Sequence, residues 1–138
     1  MLKLFTVPAL LGALALVKAD YTAFHFINTT ITTDVKVGTE IYLEWTSKDN
    51  TGPFTLSVLA FNVTPSSYTS TPLGSYPNYD SKSIVIATPP SAAGGTFTWK
   101  AEPIDAAGTW TSRQFLYQID ADLSEYESSS AGAFYLAA

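Results

Sequence analysis

The chain is 138 residues long, 46% hydrophobic and 14% charged, with seven basic residues against twelve acidic ones and no cysteine. That length suits one domain, and the absence of thiols excludes disulfide frameworks, thiolate metal sites, Fe–S clusters and cysteine nucleophiles. An acidic chain whose few lysines and arginines are scattered also lacks the clustered cations that neutralise nucleic-acid phosphates, so nucleic acid is not an expected partner.

The first element is an export signal over residues 1–19. Lys3 supplies the positive start, Leu4 to Val17 the apolar stretch, and Val17-Lys18-Ala19 a cleavage site before Asp20. Fourteen residues in a helix reach roughly 21 Å, short of the ~30 Å hydrocarbon core, so the segment reads as a leader and not as a membrane span. Removing it leaves 119 of the 138 residues and, with Lys3 and Lys18 gone, takes the formal charge from −5 to −7. A single domain at 20–138 follows. Asn28-Thr29-Thr30 and Asn62-Val63-Thr64 are N-glycan sequons, which export makes eligible at Asn28 and Asn62. The apolar end, Ala131 to Ala138, is too short for a glycolipid-anchor signal and itself reads as a strand.

Downstream of the leader, apolar residues recur with period two and nowhere with helical spacing. After a short run at Thr22 to Ile27, Ile41, Leu43 and Trp45 alternate with Tyr42, Glu44 and Thr46. Phe54, Leu56 and Val58 alternate in the next run, which ends at Phe61. Ser83 to Ala87 is short, and it is followed by Phe97, Trp99 and Ala101 against Thr96, Thr98 and Lys100. Phe115, Tyr117 and Ile119, then Ala133 to Leu136, complete seven strands. Turn residues separate them at Val37-Gly38-Thr39, Asp49 to Pro53, Pro89-Pro90, Ala93-Gly94-Gly95 and Ala107-Gly108. The fold class expected is an all-β, immunoglobulin- or fibronectin-III-like antiparallel sandwich of about seven strands, with Trp45 and Trp99 at the centre of the core. Asn62 to Lys82, with three prolines and three tyrosines, is expected to cross between sheets, with a short edge strand near Leu73.

Val35-Lys36-Val37-Gly38-Thr39-Glu40-Ile41-Tyr42-Leu43-Glu44-Trp45-Thr46 resembles the V-x-x-G-x-x-[IV]-x-[IL]-x-W opening of fungal cell-wall Ig-like domains. Gly95-Thr96-Phe97-Thr98-Trp99 is similar to that family's mid-domain G-x-[YF]-x-W. Tyr117-Gln118-Ile119, followed by Ser129 to Leu136, is similar to its closing Y-x-[IV] and S-x-x-F-x-[IVL]. The family comprises the N-terminal modules of yeast β-1,6-glucan assembly proteins and of Ser/Thr-rich glycolipid-anchored wall proteins. The resemblance implies a non-catalytic role at the fungal wall or extracellular matrix. The family's Ser/Thr-rich stalk and anchor do not follow here, which points to a free module.

Catalytic chemistry finds little footing. His25 is the sole histidine, which excludes a two-imidazole copper brace, and no G-x-S-x-G turn accompanies it; it reads as a structural residue on a strand. Asp120, Asp122, Glu125 and Glu127 lack the glycine-punctuated spacing of a calcium loop and read as a solvated turn. No cofactor, metal site or catalytic residue is expected. Sugar-binding modules stack pyranose faces on exposed rings, which makes Trp110, in a polar turn, and Tyr76 and Tyr79, in Ser75-Tyr-Pro-Asn-Tyr-Asp80, the candidate ligand contacts. The expected function is a secreted, non-catalytic protein that binds or scaffolds wall polysaccharide or a wall protein. The alternative is a secreted, effector-like module that reuses the domain for protein contact.

Overall fold

The computed structural model describes residues 22–138; the export signal expected over residues 1–19 lies outside the described residues. Ten strands follow in chain order: β1 (His25–Phe26), β2 (Asp34–Lys36), β3 (Glu40–Thr46), β4 (Thr55–Asn62), β5 (Ser67–Thr71), β6 (Gly74–Asn78), β7 (Ser81–Ala87), β8 (Gly94–Lys100), β9 (Phe115–Ser124) and β10 (Glu127–Ala137). They form a three-stranded sheet, β1-β3-β8, a five-stranded sheet, β2-β10-β9-β4-β7, and a separate two-stranded ribbon, β5-β6. The first two face each other as a β-sandwich.

The period-two pattern fixes which side of each strand is dry. Ile41, Leu43 and Trp45 of β3 point inward, as do Leu56, Val58 and Ala60 of β4, Tyr117, Ile119 and Ala121 of β9, and Phe134 and Leu136 of β10, all buried. Each fully buried aliphatic side chain among them contributes about 1.5 to 3 kcal/mol through loss of apolar surface to water. Trp45 and Trp99 are 3% and 6% exposed. Trp45 meets Phe54 edge-on at 5.2 Å, and Trp99 lies 6.2 Å from Phe134 in the opposite sheet. Among the described residues no buried side-chain polar atom is left without a hydrogen-bond partner.

All seven expected strands are present, and three differences stand out. The sandwich is not wholly antiparallel: β2 pairs parallel with β10, Val35 opposite Leu136. Three residues cannot announce themselves by alternation, and this strand is held by its neighbour's edge and by the buried Val35. Gly38, at φ +94°, then turns the chain into β3. Second, the stretch from Asn62 to Lys82 does not cross between sheets. β4 and β7 pair directly, Val58 opposite Ile84, and the residues between them rise as the β5-β6 hairpin. Third, Leu73 is in the two-residue turn of that hairpin, 90% exposed, because Pro72 cannot continue a ladder and Thr71 pairs directly with Gly74.

Candidate binding surface on the open side of the sandwich

A five-stranded sheet over a three-stranded one leaves an overhang. β7 ends the larger sheet and β8 ends the smaller, so each keeps one unpaired edge. Along β7, residues 81–85 are exposed, Ile84 by 38% and Val85 by 61%. Where the end of β7 meets the start of β8, a cleft of about 310 Å³ opens. Trp45 and Phe97 lie in it, Pro89 and Pro90 rim it, and Gly94 and Gly95 leave backbone where side chains would otherwise stand. Its floor is fixed by the Trp45 indole N–H, which donates to Ser91 O at 3.0 Å. Among the described residues no titratable side chain lines this cleft. Its size and apolar walls suit a bound side chain or ring, and it offers no group for acid–base chemistry.

The hairpin is the second surface feature. Every residue of β5 and β6 is exposed, and no charged residue occurs between Asp49 and Asp80. All five residues of β5 carry a hydroxyl. Tyr76 stands opposite Thr69, on the face that also carries Ser67 and Asn78, and the Asn78 amide donates to both Ser67 Oγ and Thr69 Oγ1. Tyr68, 66% exposed, occupies the other face. Tyr76 is 52% exposed and Tyr79, at the base of the hairpin, 50%.

Trp110 is placed differently from what its polar turn suggests. It is half-buried, with its ring stacked on Phe115 at 4.6 Å and 22°. Phe115 shares the inner side of β9 with Tyr117. The Lys82 ammonium lies 5.3 Å from the Trp110 ring centroid; because Phe115 fills one face, the cation covers the other. The indole therefore presents an edge and no open face for stacking. The three candidate rings do not form one strip.

The loop carrying Trp110 is built around two side chains. Tyr117 OH donates to Trp110 O at 2.7 Å and accepts from the Ile104 N–H at 3.0 Å. This is the tyrosine corner of immunoglobulin-type sandwiches, in which a tyrosine near the start of a strand ties down the connection before it. Burial pushes the Tyr117 hydroxyl pKa up. Asp105 accepts the Thr109 N–H and hydroxyl and the Trp110 N–H at 2.6 to 3.0 Å. Partial desolvation pushes its carboxyl up, but the bonds from Thr109 and Trp110 outweigh that and bring it down to about 2, from 3.8. A folded pKa below the unfolded one means that this contribution to stability is complete above about pH 4 and is lost as pH falls through about 2. In an acid titration followed by NMR, the Thr109 and Trp110 amide shifts are expected to move with a midpoint near 2 and not near 3.8, and Asp105→Asn is expected to abolish the step.

The remaining sequence candidates make hydrogen bonds within the fold. The His25 ring Nδ1 bonds to Ala23 O at 2.8 Å, on β1. Asp120 and Asp122 are not in a turn but within β9, where Asp120 accepts from Gln118 and Asp122 from Ser57. Only Glu125 of that acidic group falls in the turn, and among the described residues no three acidic or histidine side chains converge as a metal site would need. Asn28 adopts a positive φ of 51° and its amide donates to Glu44 Oε1, which also accepts from Tyr42 OH. Asn62 turns its carbonyl oxygen back to the Thr64 N–H at 2.9 Å. No described helix is long and apolar enough to cross a membrane.

Fold and surface define an all-β sandwich with an apolar cleft beside its β7 and β8 edges and an uncharged projecting hairpin. No protein-family model matches the chain, and neither the curated proteins nor the solved structures contain a match. The likeness to fungal cell-wall Ig-like domains accordingly rests on its motifs.

Proposed function

We propose that the mature chain is a secreted, non-catalytic module of the fungal wall or extracellular matrix that binds polysaccharide through the hairpin side of the sandwich. The observation that carries this reading is the pairing of half-exposed tyrosines with a charge-free, hydroxyl-covered ribbon: Tyr76 and Tyr79 offer ring faces, and the Ser, Thr and Asn side chains beside Tyr76 offer donors and acceptors for sugar hydroxyls. The leader at 1–19 and the two sequons agree with such a location. Of the two glycan acceptors Asn28 is the more exposed, with its amide donating to Glu44, and Asn62 is half-buried with its carbonyl oxygen bound by Thr64 N–H. Trp110 serves this surface as support for the loop beside it.

Retention on insoluble chitin, β-glucan or mannan tests the proposal. Wild type is expected to be held by at least one of them, with Tyr76→Ala/Tyr79→Ala weakening retention at least tenfold and Trp110→Ala changing it little. Failure of wild type to bind any of the three sinks the carbohydrate reading. The protein-contact alternative draws on a different observation, the unpaired β7 and β8 edges beside the cleft, since strand addition to a free edge is a recurrent mode of peptide recognition. Co-purification of one specific protein partner, together with no polysaccharide retention, would favour it.

A further inference from the structure

Two features on this surface lack partners and complement each other. The hairpin is a two-stranded ribbon that pairs with no other described strand and has every residue of both its strands exposed, and an isolated ribbon of this kind is marginal in water. At its tip Leu73 is 90% exposed. The sandwich, for its part, has a free strand edge at β8 that leads into an apolar cleft of about 310 Å³.

The hydrogen-bond phase shows which edges can meet. Thr71 and Gly74 flank a two-residue turn, so Thr71/Gly74, Thr69/Tyr76 and Ser67/Asn78 are the bonded pairs of the ribbon, and Ser70/Ser75 and Tyr68/Pro77 the unbonded ones. Outward-facing backbone groups therefore belong to Tyr68 and Ser70 on β5, and to Ser75 and Pro77 on β6. Pro77 has no N–H, which blunts the β6 edge. β5 is the edge that can pair. On β8, the Ala101 N–H bonds Thr39 O, and alternation from there gives Trp99, Phe97 and Gly95 to β3. The groups of Gly94, Thr96 and Thr98 face outward.

We infer that the hairpin of one molecule adds to the free edge of β8 in a second copy, β5 antiparallel to β8, with Leu73 seated in the cleft. Antiparallel pairing brings the Thr71 end of β5 to the Gly94 end of β8, and the next residues, Pro72 and Leu73, then fall at the cleft mouth. A second copy is the occupant that brings this hairpin to the cleft. The hairpin leaves the sandwich at Asn62 and Ser81, and the cleft adjoins Ala87 at the opposite end of β7, about 20 Å away at ~3.3 Å per residue. No charge lies on the hairpin or on the described lining of the cleft, so the contact brings no like-charged side chains together. This goes beyond polysaccharide binding and leaves Tyr76 and Tyr79, on β6 and at the hairpin base, outside the contact.

Donor and acceptor are different surfaces, so the contact is heterologous, and that gives it a distinctive test. Sedimentation velocity on the full mature chain, from micromolar to millimolar, is expected to show a weight-average mass that rises with concentration. Leu73→Asp removes the knob, and Thr98→Pro removes an outward β8 donor. Each is expected to remain monomeric, whereas a 1:1 mixture of the two forms a heterodimer, because each supplies the surface the other lacks. Gly94→Glu, at a site where a Cβ meets nothing closer than 3.8 Å, replaces Thr98→Pro should near-UV circular dichroism show that the proline variant is unfolded. Tyr126→Ser removes a ring that is 92% exposed elsewhere and is expected to leave the wild-type mass profile unchanged. A wild type monomeric at millimolar concentration overturns the inference, as does a mixture that fails to associate or self-association that survives Leu73→Asp. Polysaccharide retention by Leu73→Asp at the wild-type level separates this contact from sugar binding.

Discussion

Gly95→Ala is expected to destabilise the fold by about 1 to 3 kcal/mol, the usual effect of forcing extra volume into a packed site. A Cβ built on Gly95 would lie 2.8 Å from Cζ2 and 3.2 Å from Cε2 of Trp45, so the β8 backbone rests directly on the indole. The ring has no easy retreat: it is 3% exposed, meets Phe54 at 5.2 Å, and is tied by its N–H to Ser91 O. Any shift large enough to admit a methyl breaks that bond and reshapes the cleft floor. Urea unfolding of Gly95→Ala, Trp45→Phe and the double variant measures this directly. The alanine is expected to cost much less in the Trp45→Phe background, where the crowding atoms are gone, giving a coupling of at least 0.5 kcal/mol. Equal costs in the two backgrounds would mean that the contact is not what requires glycine.

Tyr117→Phe is expected to cost a similar ~1 to 3 kcal/mol while leaving the core volume unchanged, because it strips partners from two backbone groups at once. The hydroxyl accepts from Ile104 N–H and donates to Trp110 O, joining both ends of the connection between β8 and β9. The ring itself stays packed against Phe134, 5.5 Å away and nearly parallel. The loss is therefore expected to be local as well as global: amide exchange should quicken first at Ile104 and around Trp110, ahead of β4 and β10. Thermal unfolding would fall by roughly 4 °C per kcal/mol for a domain of this size. A variant as stable as wild type, with exchange unchanged at Ile104, would show that solvent replaces the hydroxyl without cost.

Much of the sandwich was legible in advance because burial alternates along a strand, and a buried face imposes its chemistry on every second residue. Trp45, Trp99, Tyr117 and Ile119 lie inside for that reason. β5 and β6 escaped the same reading because both of their faces are wet, and a ribbon that buries nothing has no period to display. β2 escaped it because three residues hold too little pattern.

The candidate contacts divide along the same line. Tyr76 and Tyr79 are exposed as their polar neighbours suggest. Trp110 is also surrounded by polar residues in the chain, yet it is half-buried, since its partners, Phe115 five residues on and Lys82 on β7, are supplied by the fold. The cleft left no mark in the sequence. Its walls come from β3, β8, the end of β7 and the connection after it, segments that only the fold brings together.

By itself the sequence determined the fold class, the seven principal strands and the two tryptophans of the core, because these follow from residue type and from spacing along one strand. Tertiary structure alone decided the parallel β2, the hairpin, the covered faces of Trp110 and the open side with its cleft. Those features depend on which strand edges find neighbours, and backbone edges carry the same N–H and C=O groups whatever the side chains beside them.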